Sequence, residues 1–235
     1  MNVVDCSHHY ENSMPVMDGI EPPSFVDLAN VPSDGYAMSR YAFTNHSGTH
    51  IDAPAHQIDG GATLDEIPLT RLVTDALVLD LRSHAPGPIS LEDLGDRVAD
   101  VRANDLVLFC SGNDRNWGTS AYWKEWCYPD ADASGALIGR GVSGVGFDGP
   151  SADPVESVTY DLHRVWLSAG CVILENLCAL TALPARCPIV CAPLKVRDAN
   201  GGPVRVLALL PEPGDTGTLP ASSGRSGVTG TKVVP

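Results

Sequence analysis

The chain has 235 residues, 43% of them hydrophobic, and a formal net charge of −14 at pH 7. A chain of this length and composition can bury a substantial core without disulfides or a partner. Its 15 Lys and Arg residues are scattered along the sequence, whereas a protein that binds nucleic acid neutralises phosphates with clustered basic side chains. The composition therefore argues against a nucleic-acid partner.

The amino-terminal segment and the most apolar segment bear on localisation. Residues 1–14 lack a basic region followed by an apolar stretch, which is the pattern of a signal peptide. Residues 165–194 are interrupted by Glu175, Arg186 and prolines, so they fall short of the ~20 apolar residues that a membrane-spanning helix needs. We expect a cytoplasmic protein without a membrane partner, in which the seven cysteines are thiols.

Short apolar runs bounded by turn residues predict buried strands. In chain order they are residues 75–82, 105–110, 141–148, 171–175, 186–194 and 203–210. Residues 90–101 and 157–169 have helical spacing, and Ser90 is a predicted N-cap with Asp93 three residues later. Strands and helices that mix along one chain predict an α/β fold, with a mixed, largely buried sheet and flanking helices.

The last part of the chain differs in composition from the rest. Residues 212–235 are so rich in Gly, Ser, Thr and Pro that they cannot bury enough apolar surface to order themselves. We therefore expect one domain over residues 1–211, followed by a mobile tail or a strap over a neighbouring subunit.

Three of the seven histidines lie within eleven residues, in HSGTHIDAPAH (46–56). A single histidine is more often a satisfied core or surface residue than a metal ligand. Here His46, His50 and His56 lie close to Asp52, and together they offer nitrogen and oxygen donors. Such a donor set suits Zn²⁺ or Mn²⁺ better than a soft metal.

The spacing of these histidines restricts the backbone between them. Gly48 and Pro54 argue against the helix on which zinc proteases place two histidines four residues apart. In a continuous strand, four residues at ~3.3 Å each would separate His46 from His50 by roughly 13 Å. The segment therefore predicts a bend at Gly48, since glycine adopts the required backbone angles at little steric cost. After the bend, we expect Pro54 to stiffen an extended segment that directs His56 away from the ligands.

The complete motif resembles HxGTHxDxPxH, the signature of the bacterial cyclase or kynurenine formamidase family. The resemblance continues through GGATLDEIPL (60–69), GFDGPSADP (146–154), LENL (174–177) and APLKVRDANGGPVRVLAL (192–209). It implies a metal-dependent hydrolase with a swivelling β/β/α fold that contains one or two Zn²⁺ or Mn²⁺ ions. It also implies a homo-oligomer, either a dimer or a tetramer.

The resemblance assigns roles to single residues. It makes His46, His50 and Asp52 ligands of one ion, and lets Asp52 bridge to a second ion held by His163 and Glu175. His56 becomes the residue that transfers protons. Without the resemblance, His163 on a helix and Glu175 at a strand end would be interpreted as a solvated histidine and a capping carboxylate.

Further residues are candidates for contact with the substrate. They are Trp117, His8, Asp148 and Ser151. A ring-shaped substrate could stack on an indole, and Trp117 is preferred to Trp123 and Trp126 because it lies in a loop-like segment. His8 lies in VVDCSHH, which matches the DLSH block near the amino terminus of the family, although a cysteine replaces the leucine.

The family resemblance implies an amidohydrolase that uses metal-activated water. Its substrate would be an aryl formamide or a cyclic amide, such as N-formylkynurenine or an isatin-like lactam. One alternative is a cyclase or lactone hydrolase of the same family that acts on a polyketide-like ring. Another is a metal-binding protein without turnover, but a structural site would need neither His56 nor an open coordination position.

Overall fold

The computed structural model describes residues 1–212. Of the expected tail at 212–235, all but Glu212 lies outside the described residues. The strands are β1 (Asn2–Asp5), β2 (Ser24–Ala29), β3 (Met38–Ala42), β4 (His50–Asp52), β5 (Val73–Asp80), β6 (Gly87–Ile89), β7 (Leu106–Cys110), β8 (Cys127–Pro129), β9 (Gly144–Phe147), β10 (Val172–Glu175), β11 (Arg186–Pro193) and β12 (Gly201–Leu210). The helices are α1 (Val31–Asp34), α2 (Leu91–Leu94), α3 (Ala131–Gly139) and α4 (Asp161–Ser168).

One mixed sheet closes on itself as a barrel. Its strands follow the order β12, β11, β5, β7, β9, β10 and β4, and β4 pairs again with β12. The neighbours among β5, β7, β9 and β10 are parallel, and the remaining pairs in the barrel are antiparallel. The predicted mixed sheet is confirmed. The apolar runs did not reveal its closure, because closure depends on the short strand β4, which contains two polar site residues.

The central strands β5, β7 and β10 each contribute to two separate hydrophobic clusters. Along β7, Leu106 and Leu108 point into the barrel, where they pack with side chains of the other barrel strands. Val107 and Phe109 point outward and pack against the helices, including the fully buried Trp166 of α4. Because both faces are covered, the strands have the continuous apolar sequences from which they were predicted.

The helices are shorter than the sequence predicted. The segment 90–101 forms one turn of α-helix, α2, followed by a 3-10 helix at Gly95–Asp100. Ser90 caps it as predicted, since its hydroxyl accepts a hydrogen bond from the backbone N–H of Asp93 at 3.1 Å. Gly95, with φ of +53°, lies where the α-helical turn ends. The segment 157–169 becomes helical at Asp161, and α3 was not predicted.

The apolar region at 165–194 is distributed over a helix and two barrel strands. It contains the end of α4, all of β10 and β11, and many buried side chains of both clusters. In the part of the chain that the structure describes, no helix has the length and hydropathy to cross a membrane.

The histidine-rich segment folds as a bend followed by a short strand. Gly48 has φ of +57°, and a Cβ at this position would lie 2.8 Å from both Sδ of Met14 and Cζ of Tyr10. The bend brings the rings of His46 and His50 to a centroid distance of 5.4 Å. The predicted bend at Gly48 is therefore confirmed, and neighbouring side chains as well as the backbone angle require glycine there.

The predicted direction of His56 is wrong. Ala53 is extended, as expected before Pro54, but Pro54–His56 then form a 3-10 turn. The fixed φ of proline suits the first position of a helical turn as well as an extended chain. The turn stacks the His56 ring on that of His46, with a centroid distance of 3.9 Å.

Replacing Gly48 with Val should weaken metal binding by roughly 10- to 100-fold, the range for residues that orient ligands. The added side chain would collide with Met14 and Tyr10 and would strain the bend that pairs His46 with His50. Titration calorimetry with Zn²⁺ measures the affinity, and thermal unfolding checks the fold.

Gly35→Val is the matched control for this substitution. Gly35 also has a positive φ, +77°, but a Cβ there would meet nothing within 4 Å, and it lies between β2 and β3. It should lower stability without changing metal affinity. A Gly48→Val protein that binds Zn²⁺ as tightly as wild type would show that the bend does not determine the site.

Candidate metal centre

The pairing of β4 with β10 builds the base of the site. Glu175 lies directly opposite His50 in this antiparallel pair. His50 and Asp52 point to the same side of β4, because side chains alternate along a strand. Ile51 between them belongs to the interior cluster of the barrel. The polar side chains therefore lie on the outer face of the barrel, the face on which α4 packs.

Asp52 is the residue on which the other polar side chains converge. Its Oδ1 lies 2.6 Å from Nδ1 of His46 and 3.5 Å from Nε2 of His50. Its Oδ2 lies 3.7 Å from Nε2 of His163. The Glu175 carboxylate spans the other side, 3.1 Å from Nε2 of His163 and 3.4 Å from Nε2 of His50. Two groups of possible ligand atoms, each within 4.8 Å, share Asp52: His46, His50 and Asp52, and Asp52, His163 and Glu175.

The burial and charge of this cluster fit a cation. The side chains of Asp52, His163 and Glu175 are all buried, and burying a carboxylate is costly unless it is paired. Oδ2 of Asp52 has no hydrogen-bond partner among the described residues. Three imidazole nitrogens and two carboxylates form a donor set that suits Zn²⁺ or Mn²⁺.

The pKa shifts in the cluster indicate the same preference for positive charge. Burial opposes a charge on His163, but hydrogen bonds to Asp153 and Glu175 outweigh it and raise the pKa of His163 to about 11. Burial also opposes a charge on Asp52, yet His50 and His46 hold its pKa below the ordinary value. The field of the two carboxylates therefore favours a positive charge between them.

Asp153 fixes the position and orientation of His163. Its carboxylate accepts hydrogen bonds from the backbone N–H groups of Leu162 and His163, at 2.9 and 3.0 Å, in the first turn of α4. The same carboxylate accepts the Nδ1 proton of His163. Nε2 of His163 is thus directed at the cluster, an arrangement in which the second nitrogen of a ligand histidine is held by a carboxylate.

Different groups orient the other two histidines. His50 donates its Nδ1 proton to the carbonyl oxygen of Gly48 at 2.9 Å, so its Nε2 faces the carboxylates. Nε2 of His46 lies 3.0 Å from Oδ1 of Asn200. Gly201 brings the backbone against the His46 ring, since a Cβ there would lie 2.3 Å from Cε1 of His46.

Roles for Asp153, Asn200 and Gly201 in the site were not predicted from the sequence. Each lies in a block that carries the family resemblance, 146–154 or 192–209. That location was the available signal, because neither an aspartate before a helix nor an Asn-Gly turn points to a metal site by itself.

His56 lies beside the cluster without a fixed partner. Its ring stacks on His46 and is 6.1 Å from the ring of His163, between centroids. Burial lowers the pKa of His56. The negative charge of Asp52 raises this pKa, and the positive charges of His46 and His163 offset part of that increase. Within residues 1–212, neither ring nitrogen of His56 makes a hydrogen bond. A neutral imidazole free to bind a proton therefore borders the site.

The cluster faces a cavity of about 340 Å³. Ser151, a predicted substrate contact, lines it, and so does Trp123. Trp117 and His8 lie elsewhere, stacked on each other with a centroid distance of 4.0 Å and an angle of 8° between the planes. Neither belongs to the lining of this cavity as the described residues form it. The preference for Trp117 over Trp123 is therefore not supported, because the fold covers Trp117 with His8.

Asp148 is also absent from the lining of the cavity. Its buried carboxylate accepts hydrogen bonds from the backbone N–H and the hydroxyl of Ser111, at 3.1 and 2.5 Å, and from the N–H of Gly112 at 2.6 Å. Burial raises the pKa of Asp148 to about 6. In this position Asp148 anchors the loop after β7, which is a different role from the predicted contact with substrate.

Comparison with known proteins places the chain in a family. The family model described as "Putative cyclase" matches residues 4–154. The kynurenine formamidase of Salinibacter ruber is 32% identical over 222 residues, which are 91% of this chain and 100% of that protein. Isatin hydrolase A from Ralstonia solanacearum has a TM-score of 0.79 at 26% identity, over 88% of this chain and 91% of the other. A structure described as a predicted metal-dependent hydrolase from Bacillus stearothermophilus has a TM-score of 0.74 at 30% identity, over 88% and 97%. Because the family model matches more than half of the residues of this chain, the chain belongs to the cyclase family.

Proposed function

We propose that the protein is a metal-dependent hydrolase that cleaves the C–N bond of an aryl formamide or an isatin-like cyclic amide. The observation that carries this proposal is the convergence of three imidazoles and two carboxylates beside a cavity, with a further imidazole at its border. Similarity to proteins named kynurenine formamidase and isatin hydrolase supports the same class of substrate.

We assign two ion positions to the cluster, each for Zn²⁺ or Mn²⁺. His46, His50 and Asp52 would hold the first, and Asp52, His163 and Glu175 the second. The sharing of Asp52 by two groups of possible ligand atoms supports this division. When bound, such an ion lowers the pKa of a water ligand to about 7 and polarises a carbonyl group.

His56 is the proposed carrier of the proton. A neutral imidazole can accept a proton from water as the water oxygen attacks the amide carbon. It can then donate this proton to the amide nitrogen as the C–N bond breaks. One water is added overall, and the products are a carboxylic acid and an amine. The lowered pKa of His56 supports its entry into this cycle in the neutral form.

The walls of the cavity would hold the aromatic part of the substrate. Trp123 and Tyr160 line it with aromatic side chains, and Val16, Met17 and Ile20 add apolar surface. Small-molecule sites commonly combine a mostly apolar lining with a few polar groups that fix orientation. We therefore assign the aromatic contact to Trp123, and we retain Ser151 as a polar contact.

A homo-oligomer is the proposed assembly. The hairpin of β2 and β3 exposes Leu28, Tyr36, Met38 and Tyr41, and a cluster of exposed apolar side chains commonly marks an interface. The swivelling β/β/α description, the number of subunits and a cytoplasmic location stay predictions.

Extensive chelation should abolish hydrolysis of formanilide and isatin, and adding back Zn²⁺ or Mn²⁺ should restore it. Mass spectrometry of the products checks the reaction, because hydrolysis converts formanilide into aniline and formate and converts isatin into one product that is heavier by one water. Elemental analysis of the same samples measures bound metal. Turnover at the original rate by protein without detectable metal would refute the proposed function.

His56→Ala should keep its metal but lose on the order of 10²- to 10⁴-fold in kcat, the contribution of a general acid–base residue. Elemental analysis and steady-state kinetics on one preparation measure both quantities. His9→Ala is the matched control, because His9 is exposed and lies outside the cavity. Loss of one equivalent of metal from His56→Ala would instead make His56 a ligand.

A further inference from the structure

A second cavity, of about 500 Å³, adjoins the cavity that contains the metal cluster. The residues that border both cavities are Val16, Met17, Trp123, Ser151 and Tyr160. The first cavity, at about 340 Å³, is near the lower end of the roughly 300 to 1,000 Å³ typical of small-molecule sites. The second cavity therefore offers room for a part of the ligand that extends beyond the scissile amide.

One wall of the second cavity is connected to the metal cluster through Asp153. Trp126 lines this cavity, is 4% exposed, and donates its indole N–H to the carbonyl oxygen of Asp153 at 3.1 Å. The carboxylate of the same Asp153 holds His163 in the cluster. Trp126 and His163 are thus hydrogen-bonded to the same residue, which links one wall of the second cavity to the metal cluster.

The charges around the second cavity select against an anionic extension of the ligand. No Lys or Arg lines either cavity, as far as residues 1–212 form them. Among the described residues that line the second cavity, only Asp18 is charged. The lining also includes apolar side chains, such as those of Trp126 and Val155. A carboxylate bound there would lose hydration without gaining a cationic partner, which is costly, and it would face a like charge.

We infer that the substrate carries an uncharged, apolar extension on the side away from the scissile amide, and that this extension occupies the second cavity. A substrate of the same length that ends in a carboxylate is disfavoured. The inference rests on the proposed function, because it names the substrate class of the same site.

Three formanilides test the inference by turnover: the unsubstituted compound, the 4-phenyl compound, and the 4-(4-carboxyphenyl) compound. The 4-phenyl compound should have the highest kcat/KM, at least about tenfold above its carboxylated counterpart, since a carboxylate that loses hydration without gaining a cationic partner is costly to bury. An equal or higher kcat/KM for the carboxylated compound would overturn the inference. If no formanilide and no isatin is hydrolysed, the proposed function fails.

Binding tests the inference independently of turnover. The matching ketones, 4-phenylacetophenone and its carboxylated counterpart, have no C–N bond to cleave. Quenching of tryptophan fluorescence reports their binding, since Trp123 and Trp126 line the second cavity. The neutral ketone should have the lower Kd by a similar factor. Equal Kd values, or tighter binding of the carboxylated ketone, would overturn the inference whether or not the amides are hydrolysed.

Val155→Arg should reduce the discrimination by introducing a cation. Val155 lines the second cavity and is 54% exposed, so the new ion pair should favour the carboxylated ketone by roughly two- to fivefold, as for solvated pairs. Val73→Arg is the matched control, because Val73 is 57% exposed and lies at the start of β5, at the opposite end of the barrel. The same ratio of Kd values in both variants would contradict the assignment of the second cavity.

Discussion

The buried carboxylate of Asp52 is the constraint on which the site depends. It lies on the short strand that closes the barrel, and its Oδ2 has no hydrogen-bond partner among the described residues. A carboxylate in this position is stable only beside positive charge. Three imidazoles surround it, each turned by a separate group so that one nitrogen faces the carboxylates. Barrel closure and cation binding are therefore coupled through one residue.

The geometry of the centre joins a strand pair to a helix. β4 and β10 place His50 opposite Glu175, while α4 brings His163 across the outer face of the barrel. Asp153 connects these parts, because its carboxylate caps α4 and holds His163, and its carbonyl oxygen holds Trp126. The same connection links the metal centre to Trp126 in the wall of the second cavity.

The local part of the site could be predicted from the sequence, and the long-range part could not. The donors in 46–56 and the bend at Gly48 follow from spacing and from the conformational freedom of glycine. His163 and Glu175 were predicted from the family resemblance alone, because they reach Asp52 through strand pairing and helix packing. The indole that lines the cavity could not be predicted from the sequence either, because it depends on how the loop after β7 packs.

The most direct test of the central claim is anomalous diffraction from crystals loaded with Zn²⁺ or Mn²⁺. Two peaks should flank the Asp52 carboxylate, one beside His46 and His50 and the other beside His163 and Glu175. Each should lie ~2.0 to 2.2 Å from its nitrogen and oxygen donors. A fully loaded crystal with peaks only at other residues, and none in contact with Asp52, would contradict the claim that this carboxylate organises the metal centre.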